Sequence, residues 1–398
     1  MSAPRVLFVD DDANVLAGLR RMLRSRREPW DAVFAGGGAE ALTVLATGPV
    51  DAVVTDMRMP GMDGAALLDR VRREHPATAR IVLSGHADRD AVISAAGPTQ
   101  QYLAKPCAPE TLVAAVGHVL AVRDLVTDQT WRERIGALTS LPKPPAVYDQ
   151  LVALARRPET DLHDVVRVVE SDVALTTEVL KLVNSAFFAL VSQVHSVERA
   201  VGLLGLDVLQ ALALAGTVFR PTAPPPPGLD AAELGRRSLR IAMLSRRIAV
   251  TEGWDDTATG VLCLAALLHD VGLLVLAGAD PAGWMRLAAV QEDRPGLAPH
   301  EAQQEAFGLT AAQASAHLLG LWGFSRPVLD LLAEPPIDLA GTDPGAGPHA
   351  GPTSPAAIAL AFARLRALHP DAVPIELTYL DAARLERWNA ACSPLASP

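Results

Sequence analysis

Short apolar runs alternate with amphipathic stretches over the first 121 residues. Five runs rich in Val, Ile, Phe and Ala have the length of buried strands: RVLFVD, DAVFA, DAVVTD, RIVLS and QYLAK. Stretches with apolar positions at helical spacing lie between them, as at 14–24, 65–74 and 109–122. Strands that alternate with helices in this way predict a parallel sheet with helices on both faces.

The pattern changes at about Leu138, after which one helical stretch follows another without a convincing strand. A proline run at Arg220–Leu229 predicts an exposed spacer, and the Gly- and Pro-rich Gly341–Pro355 predicts a flexible loop. A last apolar helix, Ala356–Leu368, and a weak tail follow. This half of the chain is therefore predicted to be all-α.

These patterns predict four parts. Residues 1–121 form an α/β domain, and residues 122–137 form a helical linker. Residues 138–340 form an all-α domain with a Pro-rich insertion at 220–229, and residues 341–398 form a loop, a final helix and a tail. The linker sequence is polar and is predicted to continue the preceding helix.

Composition narrows the function classes. The chain carries a net charge of −10, whereas phosphate-backbone binding usually needs a basic surface, so nucleic acid is not an expected partner. Three scattered cysteines and the absence of a signal-peptide pattern predict a cytoplasmic protein. Two apolar runs, Val201–Phe219 and Val261–Ala279, approach membrane-spanning length. Each contains an acidic residue, Asp207 or Asp270, so both are predicted to be buried helices and not membrane spans.

Carboxylates follow two of the predicted strands. Asp10 and Asp11 come at the end of the first strand, and Asp56 ends the third. In an open parallel sheet, ligands bind outside the carboxyl ends of the strands. Carboxylates that converge there repel each other unless a hard cation joins them, and Mg²⁺ suits such a site.

The next two strands end in other polar groups, Ser84 and Lys105. A hydroxyl, an ammonium and a cation around an exposed carboxylate form a cradle for a phosphoryl group. Aspartyl phosphate is a known covalent intermediate, and the positive charges would stabilise it. The sequence therefore predicts that Asp56 is a phosphate acceptor.

Residues 5–121 resemble the receiver domain of two-component response regulators. The resemblance is carried by Asp10 and Asp11, by Asp56 with MRMPGMDG after it, by Ser84, and by Lys105 followed by proline. It implies a flavodoxin-like five-stranded fold and a histidine kinase or phosphotransfer protein as partner. It further implies that Tyr102 is the switch aromatic and that the backbone carbonyl of Arg58 contacts the metal.

The stretch LLHDVGLLVL places His269 and Asp270 inside an apolar run. Such a doublet can belong to a metal-dependent phosphohydrolase, but that metal needs several further protein ligands. Suitable residues are scarce in the helices before and after it. Three interpretations of the doublet therefore remain open. It is a structural core pair, or part of a rearranged metal site in a phosphodiesterase of cyclic dinucleotides or other substrates, or part of a nucleotide-sensing module.

Residues from about Gly136 to Glu334 resemble the HDOD domain, a helical relative of HD hydrolases. The segments ESDVALTTEVLKLVNSAFF, SVERAVGLLG and AALLHDVGLLVL carry this resemblance. Arg237 and Ala311 stand where members of the family often keep histidines. The resemblance with these departures predicts a domain without a metal cofactor that acts on an unknown downstream protein, with a homodimer as a possible form.

Two further groups of polar residues in the helical region are predicted to be structural. Asn184 and Ser185 are of the types that cap helices and form turns. Arg236, Arg240 and Arg247 lie at helical spacing and predict a solvated or ion-paired face. This arginine face is the best candidate in the helical region for an anionic ligand.

Overall fold

The computed structural model describes residues 3–26, 28–85, 99–139, 141, 147, 150–151, 153–154, 160–184, 193–204, 226–333, 354–368 and 382–392. The predicted fold class is confirmed, since a five-stranded parallel sheet with helices around it precedes a mostly helical region. The strands are β1 (Arg5–Val9), β2 (Asp31–Ala35), β3 (Ala52–Asp56), β4 (Ala79–Gly85) and β5 (Gln101–Lys105). Their order in the sheet is β2-β1-β3-β4-β5, and every pair is parallel.

The helices of the first domain are α1 (Ala13–Arg26), α2 (Gly38–Ala46), α3 (Gly64–Glu74) and α4 (Pro109–Arg123). Alternate residues of a strand point to opposite faces of the sheet, and β1 follows this rule. Leu7 and Val9 belong to the core that α2 and α3 cover, whereas Val6 and Phe8 belong to the other core, beside α1 and α4. This second core continues without a break into the helical domain.

The predicted linker differs from the structure. It does not continue α4, because α4 ends at Arg123 and a separate helix, α5 (Gln129–Ala137), begins six residues later. The Asp128 carboxylate caps α5 by accepting hydrogen bonds from the backbone N–H groups of Thr130 and Trp131. A new N-cap lets the chain change direction, which buries Trp131 at 4% exposure. The polar composition of the linker hid this apolar face.

The helical domain contains a further twelve described helices. They are α6 (Leu162–Glu170), α7 (Val173–Val183), α8 (Val197–Leu204), α9 (Ala231–Thr251), α10 (Asp256–Leu268), α11 (Val271–Ala279), α12 (Pro281–Asp293), α13 (Pro299–Phe307), α14 (Ala311–Leu321), α15 (Arg326–Ala333), α16 (Pro355–Leu368) and α17 (Ala382–Cys392). The long helix α9 packs along α10, and both α16 and α17 pack on α9.

The end of the chain is more ordered than its sequence pattern predicts. The final helix α16 is where it was predicted, but the tail contains α17 as well. Trp388 of α17 is fully buried, packs edge-to-face on Phe362, and donates a hydrogen bond to the Glu252 carboxylate over 2.8 Å. One aromatic residue thus anchors the tail, a signal that is too sparse to read as a periodic pattern.

One apolar segment among the described residues, Asp256–Ala279, is long enough to cross a membrane. It consists of α10 and α11, which are separated by a break at His269–Asp270, and 72% of its most apolar window is buried inside the protein. The predicted spacer and loop lie largely outside the described residues, at 220–225 and 341–353. Pro227 is described, and its carbonyl accepts a hydrogen bond from the Trp284 indole over 3.2 Å.

The two domains share an interface between α4 and α14. Gln101 of β5 donates a hydrogen bond to the Gly320 carbonyl over 3.2 Å, and the His317 ring nitrogen Nδ1 lies 3.0 Å from the Val122 carbonyl. Gly320 has no room for a side chain, since a Cβ there would lie 2.4 Å from Val122. The close approach of α14 to α4 therefore depends on this glycine.

Candidate functional site

Three of the predicted site residues meet at the carboxyl edge of the sheet. Asp10 follows β1 and Asp56 ends β3, and these strands are neighbours at the point where the strand order reverses. Lys105 ends β5 and reaches back across β4. Its ammonium donates to Asp10 Oδ2 over 2.9 Å and to Asp56 Oδ1. The topology thus brings together side chains that are far apart in sequence.

The second oxygen of each carboxylate is held by the backbone. Asp10 Oδ1 accepts from the Asp12 N–H, and Asp56 Oδ2 accepts from the Arg58 N–H, each over 2.9 Å. Gly64 supports this arrangement, because a Cβ there would lie 2.2 Å from the Asp56 carbonyl oxygen. The loop MRMPGMD can therefore fold tightly over the end of β3.

The exposures and charges of these groups suit chemistry at the surface. Asp10 is buried, but the Asp56 side chain is 14% exposed and the Lys105 side chain 31%. Burial acts to lower the pKa of the Lys105 ammonium, but its hydrogen bonds to Asp56 and Asp10 outweigh that effect and raise the pKa above its ordinary value. Lys105 therefore stays positively charged at neutral pH.

The residues present fit Mg²⁺. Among the described residues, no three His, Cys, Asp or Glu side chains lie close enough for an all-protein metal site. Mg²⁺ does not need one, because it is bound through one or two carboxylates and keeps several waters. Asp10 and Asp56 converge on one ammonium, and Asp11 is exposed beside them. Three carboxylates and one lysine leave this edge with excess negative charge.

The other two predicted residues of this site lie on β4 and β5. Ser84 lies on β4 opposite Ala104 of β5, and its side chain is outside the described part of the structure. Tyr102 is 6% exposed, and this burial raises the pKa of its phenol above the ordinary value. It lies on β5, three residues before Lys105 and next to Gln101, which contacts the helical domain.

The HD doublet forms a second cluster of charges in the break between α10 and α11. His269 Nε2 lies 3.0 Å from Asp270 Oδ2, and His269 Nδ1 lies 2.8 Å from the Ala266 carbonyl oxygen. Arg237 of α9 donates twice to the same Asp270 oxygen, from Nε over 2.8 Å and from Nη2 over 2.6 Å. The guanidinium is therefore hydrogen-bonded to the carboxylate that would have to bind a metal.

Asp270 stays ionised in this environment. Burial acts to raise the pKa of its carboxyl, but the charges and hydrogen bonds of His269 and Arg237 outweigh burial and hold the pKa well below its ordinary value. Ala311 begins α14 at the wall of the same cavity and has no ligating side chain. His300 lies on that wall too, whereas His317 is turned to the Val122 carbonyl and away from the doublet.

The two groups predicted to be structural have structural contacts. The Asn184 amide donates to the Val194 carbonyl over 3.0 Å and accepts from the Val194 N–H over 2.7 Å, which ties the end of α7 to the chain before α8. Ser185 lies outside the described residues. Arg236 and Arg240 form ion pairs with Glu233 on the exposed face of α9.

Two arginines with structural importance were not singled out from the sequence. Arg80 of β4 is fully buried and donates to the Gly136 carbonyl over 2.6 Å, which joins α5 to the sheet. Arg364 of α16 lines the cavity that contains His269, Asp270 and Arg237. Each is a basic residue in a largely apolar segment, and that contrast was the available signal.

Comparison with known families gives two matches that together cover most of the chain. The family model of the response regulator receiver domain matches residues 6–117, and that of the HDOD domain matches residues 141–335. Among curated proteins, the DNA-binding response regulator MtrA of Mycobacterium bovis is 33% identical over 168 residues, which are 39% of this chain and 72% of MtrA.

Other relatives match over a smaller share of their own length. The transcriptional regulatory protein GlrR of Escherichia coli is 36% identical over 131 residues, which are 33% of this chain and 29% of GlrR. An uncharacterised protein of Treponema pallidum is 27% identical over 198 residues, which are 49% of this chain and 37% of that protein. This chain therefore spans between a quarter and two fifths of the length of these two relatives.

Two solved structures illustrate the structural matches. The receiver domain of an HD domain-containing protein from Pseudomonas fluorescens is 32% identical and aligns over 31% of this chain and 98% of that chain, with a TM-score of 0.30. The MmoQ response regulator of Methylococcus capsulatus is 24% identical and aligns over 63% of this chain and 93% of that chain, with a TM-score of 0.48.

Proposed function

Because this chain belongs to the response regulator family and joins a receiver domain to an HDOD domain, we propose that Asp56 accepts a phosphoryl group and that the signal passes to the HDOD domain across their shared interface. The observation that carries the proposal is the contact of one Lys105 ammonium with both Asp10 and Asp56 at an edge open to solvent. The Lys105 ammonium supplies one positive charge there that can bind a phosphoryl group on Asp56.

The chemistry is a phosphoryl transfer to the Asp56 carboxylate. One carboxylate oxygen attacks the phosphorus of a phosphohistidine on the histidine kinase or phosphotransfer protein. A P–O bond to Asp56 forms, and the P–N bond to the donor imidazole breaks. Mg²⁺ held by Asp10, Asp11, Asp56 and the Arg58 carbonyl would neutralise charge on the phosphoryl oxygens. Lys105 and the Ser84 hydroxyl would bind those oxygens from the side of β4 and β5.

Transmission follows from the position of Lys105. A phosphoryl group on Asp56 adds a charge of about −1.5 to −2 and competes for the Lys105 ammonium at the end of β5. The same strand begins with Gln101, which donates to Gly320 of α14, and continues through Tyr102. A shift of β5 would therefore move a residue that is hydrogen-bonded to the HDOD domain. The coupling free energy between two sites linked in this way is typically about 1–3 kcal/mol.

The HDOD domain acts in this proposal by binding a downstream protein and not by chemistry. Arg237 occupies the Asp270 oxygen that would bind a metal, and a guanidinium repels a cation. The phosphodiesterase alternative would require Arg237 to leave a buried carboxylate. We place the protein in the cytoplasm, with a kinase or phosphotransfer protein upstream and a protein partner downstream.

The test is phosphorylation of the full-length chain with acetyl phosphate and Mg²⁺, followed by intact-mass measurement. The wild type and the control Asp69→Asn, which changes an acidic residue on α3, are expected to gain one phosphoryl group. Asp56→Asn is expected to gain none. An unmodified wild type, under conditions that label another receiver domain, would refute the proposal.

A second measurement tests the route of the signal. Phosphorylation is expected to change hydrogen exchange in α4 and α14, where the domains meet, in the wild type but not in Asp56→Asn. Phosphorylation without any change in these two helices would contradict transmission across the interface while leaving the acceptor role of Asp56 intact.

A further inference from the structure

The HD doublet lines a cavity of about 760 Å³ in the helical domain. Ligand pockets for small molecules have volumes of about 300–1,000 Å³, so this cavity is large enough for an organic metabolite. Its walls come from α9, from the break between α10 and α11, and from α12, α13, α14 and α16. The His269–Asp270 doublet thus lies at the wall of a space of ligand size.

Two arginines line this cavity, and they differ in what holds them. Arg237 makes two hydrogen bonds to Asp270. The Arg364 guanidinium, by contrast, has no hydrogen bond or ion pair to any residue in the described part of the chain. Burial lowers the pKa of Arg364, the charge of Asp270 acts to raise it, and the charge of Arg237 lowers it further. Within the described part of the chain, Arg364 is therefore a cation without an ion-pair partner.

The charge balance of the cavity is positive, although the chain carries a net charge of −10. Among the described residues that line it, two arginines face a single carboxylate, Asp270. The two ring nitrogens of His269 each lie within 3.0 Å of an oxygen, one from the Asp270 carboxylate and one from the Ala266 carbonyl. The N-terminus of α14 also lies at this wall, and a helix N-terminus favours a negative group.

The remaining walls suit the body of an organic molecule. Trp284, Leu287 and Ile241 supply apolar surface, while Gln291 and Gln304 supply amides that can donate or accept hydrogen bonds. A mostly apolar lining with a few polar groups that fix orientation is typical of ligand pockets. A ligand with one anionic group and an apolar or aromatic body would match both parts.

We propose that this cavity binds a small organic anion whose phosphate or carboxylate group lies between Arg237 and Arg364 and whose body lies against Trp284. Arg364 belongs to α16, outside the residues 141–335 that match the HDOD family, so the site is completed by a helix that the family match does not include. Leu125 of the segment between α4 and α5 lines the same cavity. A bound ligand would therefore also contact the segment that connects the helical domain to the receiver domain. Binding at this site does not depend on phosphorylation of Asp56.

The test is calorimetric titration of the full-length chain with four probes: AMP, inorganic phosphate, benzoate and, as an uncharged control, adenosine. At least one anion is expected to bind saturably, and adenosine is expected not to bind. Binding of AMP or phosphate without benzoate assigns the phosphate class, and the reverse assigns the carboxylate class. Absence of saturable binding by all three anions at millimolar concentrations would overturn the proposal.

Substitutions locate the binding. Arg364→Gln is expected to lower the affinity for the anion by about tenfold or more, because it removes a charge-assisted contact. The matched control Arg240→Gln, on the exposed face of α9, is expected to bind as the wild type does. Because the Arg364 guanidinium has no hydrogen bond or ion pair to a described residue, Arg364→Gln should unfold at the same or a higher temperature than the wild type when no ligand is present. Unchanged affinity in Arg364→Gln, or a loss of stability without ligand, would contradict the assignment.

Discussion

The receiver edge and the HD cavity both contain buried carboxylates held by a basic side chain, but their charge balances are opposite. At the receiver edge one lysine serves Asp10 and Asp56, with Asp11 beside them, and negative charge is in excess. In the described lining of the cavity, two arginines face one carboxylate, Asp270, and positive charge is in excess. The first site is suited to a cation and a phosphoryl group, and the second to an anion.

The type of basic residue contributes to this difference. Lysine is a flexible point charge that can exchange partners, whereas arginine is a planar fork that fixes several hydrogen bonds at once. Lys105 bridges two carboxylates with a side chain that is 31% exposed, while Arg237 makes two bonds to one oxygen of a carboxylate that is 8% exposed. Lys105 can therefore exchange its partners, and Arg237 acts as a permanent counter-charge.

The largest expected effect follows the loss of that counter-charge. Arg237→Gln leaves Asp270 buried with one partner fewer, and breaking a buried ion pair from one side should lower the free energy of unfolding by about 3 kcal/mol. Arg240→Gln on the same helix removes only an exposed pair and should cost less than about 1 kcal/mol. Urea unfolding of both variants measures this difference, and equal losses would mean that Arg237 is not a structural counter-charge.

A second prediction concerns the interface that links the two regions. Gly320→Ala places a Cβ against Val122, and overpacking of this kind costs about 2 kcal/mol. Gly117→Ala on α4 meets no atom within 4 Å and should be neutral or slightly stabilising. The pair Gly320→Ala and Val122→Ala should cost less than the sum of the single changes, as expected for residues in contact. Additive losses of stability in thermal unfolding would mean that Gly320 and Val122 are not in energetic contact.

The interface should also respond to pH through His317. Burial lowers the pKa of His317 from 6.5 to about 4, the hydrogen bond to Val122 opposes this, and the charge of Arg132 adds to it. The neutral ring therefore stabilises the folded state fully above about pH 6.5, and this contribution is lost as the pH falls towards 4. The slope is at most about 1.4 kcal/mol per pH unit.

His317→Gln isolates this contribution, because glutamine keeps an N–H donor but does not titrate. Urea unfolding at about pH 7 and about pH 5 should show a smaller loss of stability in the variant than in the wild type. A wild type and a variant with the same pH slope would show that the ring is not held neutral by the interface.

The smallest expected effect tests the charge balance directly. Lys105→Met leaves Asp10 and Asp56 without their ammonium, so Mg²⁺ should stabilise this variant more than it stabilises the wild type, by about 1 kcal/mol at saturating Mg²⁺. Arg237→Gln should show no added response to Mg²⁺, because Arg364 still repels a cation there. Thermal unfolding measures the stabilisation by Mg²⁺. An equal stabilisation of Lys105→Met and Arg237→Gln would contradict the opposite charge balances proposed for the two sites.

Much of the first domain could be predicted from the sequence because its signals are local. Apolar runs of strand length gave the five strands, and the polar residues Asp10, Asp56 and Lys105 stand directly at strand ends. A parallel sheet brings such ends to one edge, so periodicity and position were sufficient. The identity of each neighbour, for instance Lys105 between two carboxylates, still needed the fold.

The helical domain was harder because its decisive contacts are distant in sequence. Arg237 meets Asp270 across 33 residues, and Arg364 reaches their cavity from a helix that follows a long unpatterned stretch. Periodicity reports which face of a helix is apolar, but not which helix will cover it. The same limit explains why the linker and the tail were predicted without Trp131 and Trp388 as anchors.

By itself, the sequence determined the two-domain architecture and the polar residues at the ends of the predicted strands, since each depends on residue type and local spacing. The tertiary structure alone decided that Arg237 forms hydrogen bonds to Asp270, that Arg364 lines the same cavity, and that β5 connects Lys105 to the contact with Gly320. These are juxtapositions of charges from separate helices and strands, and their energies depend on distances and burial that only packing sets.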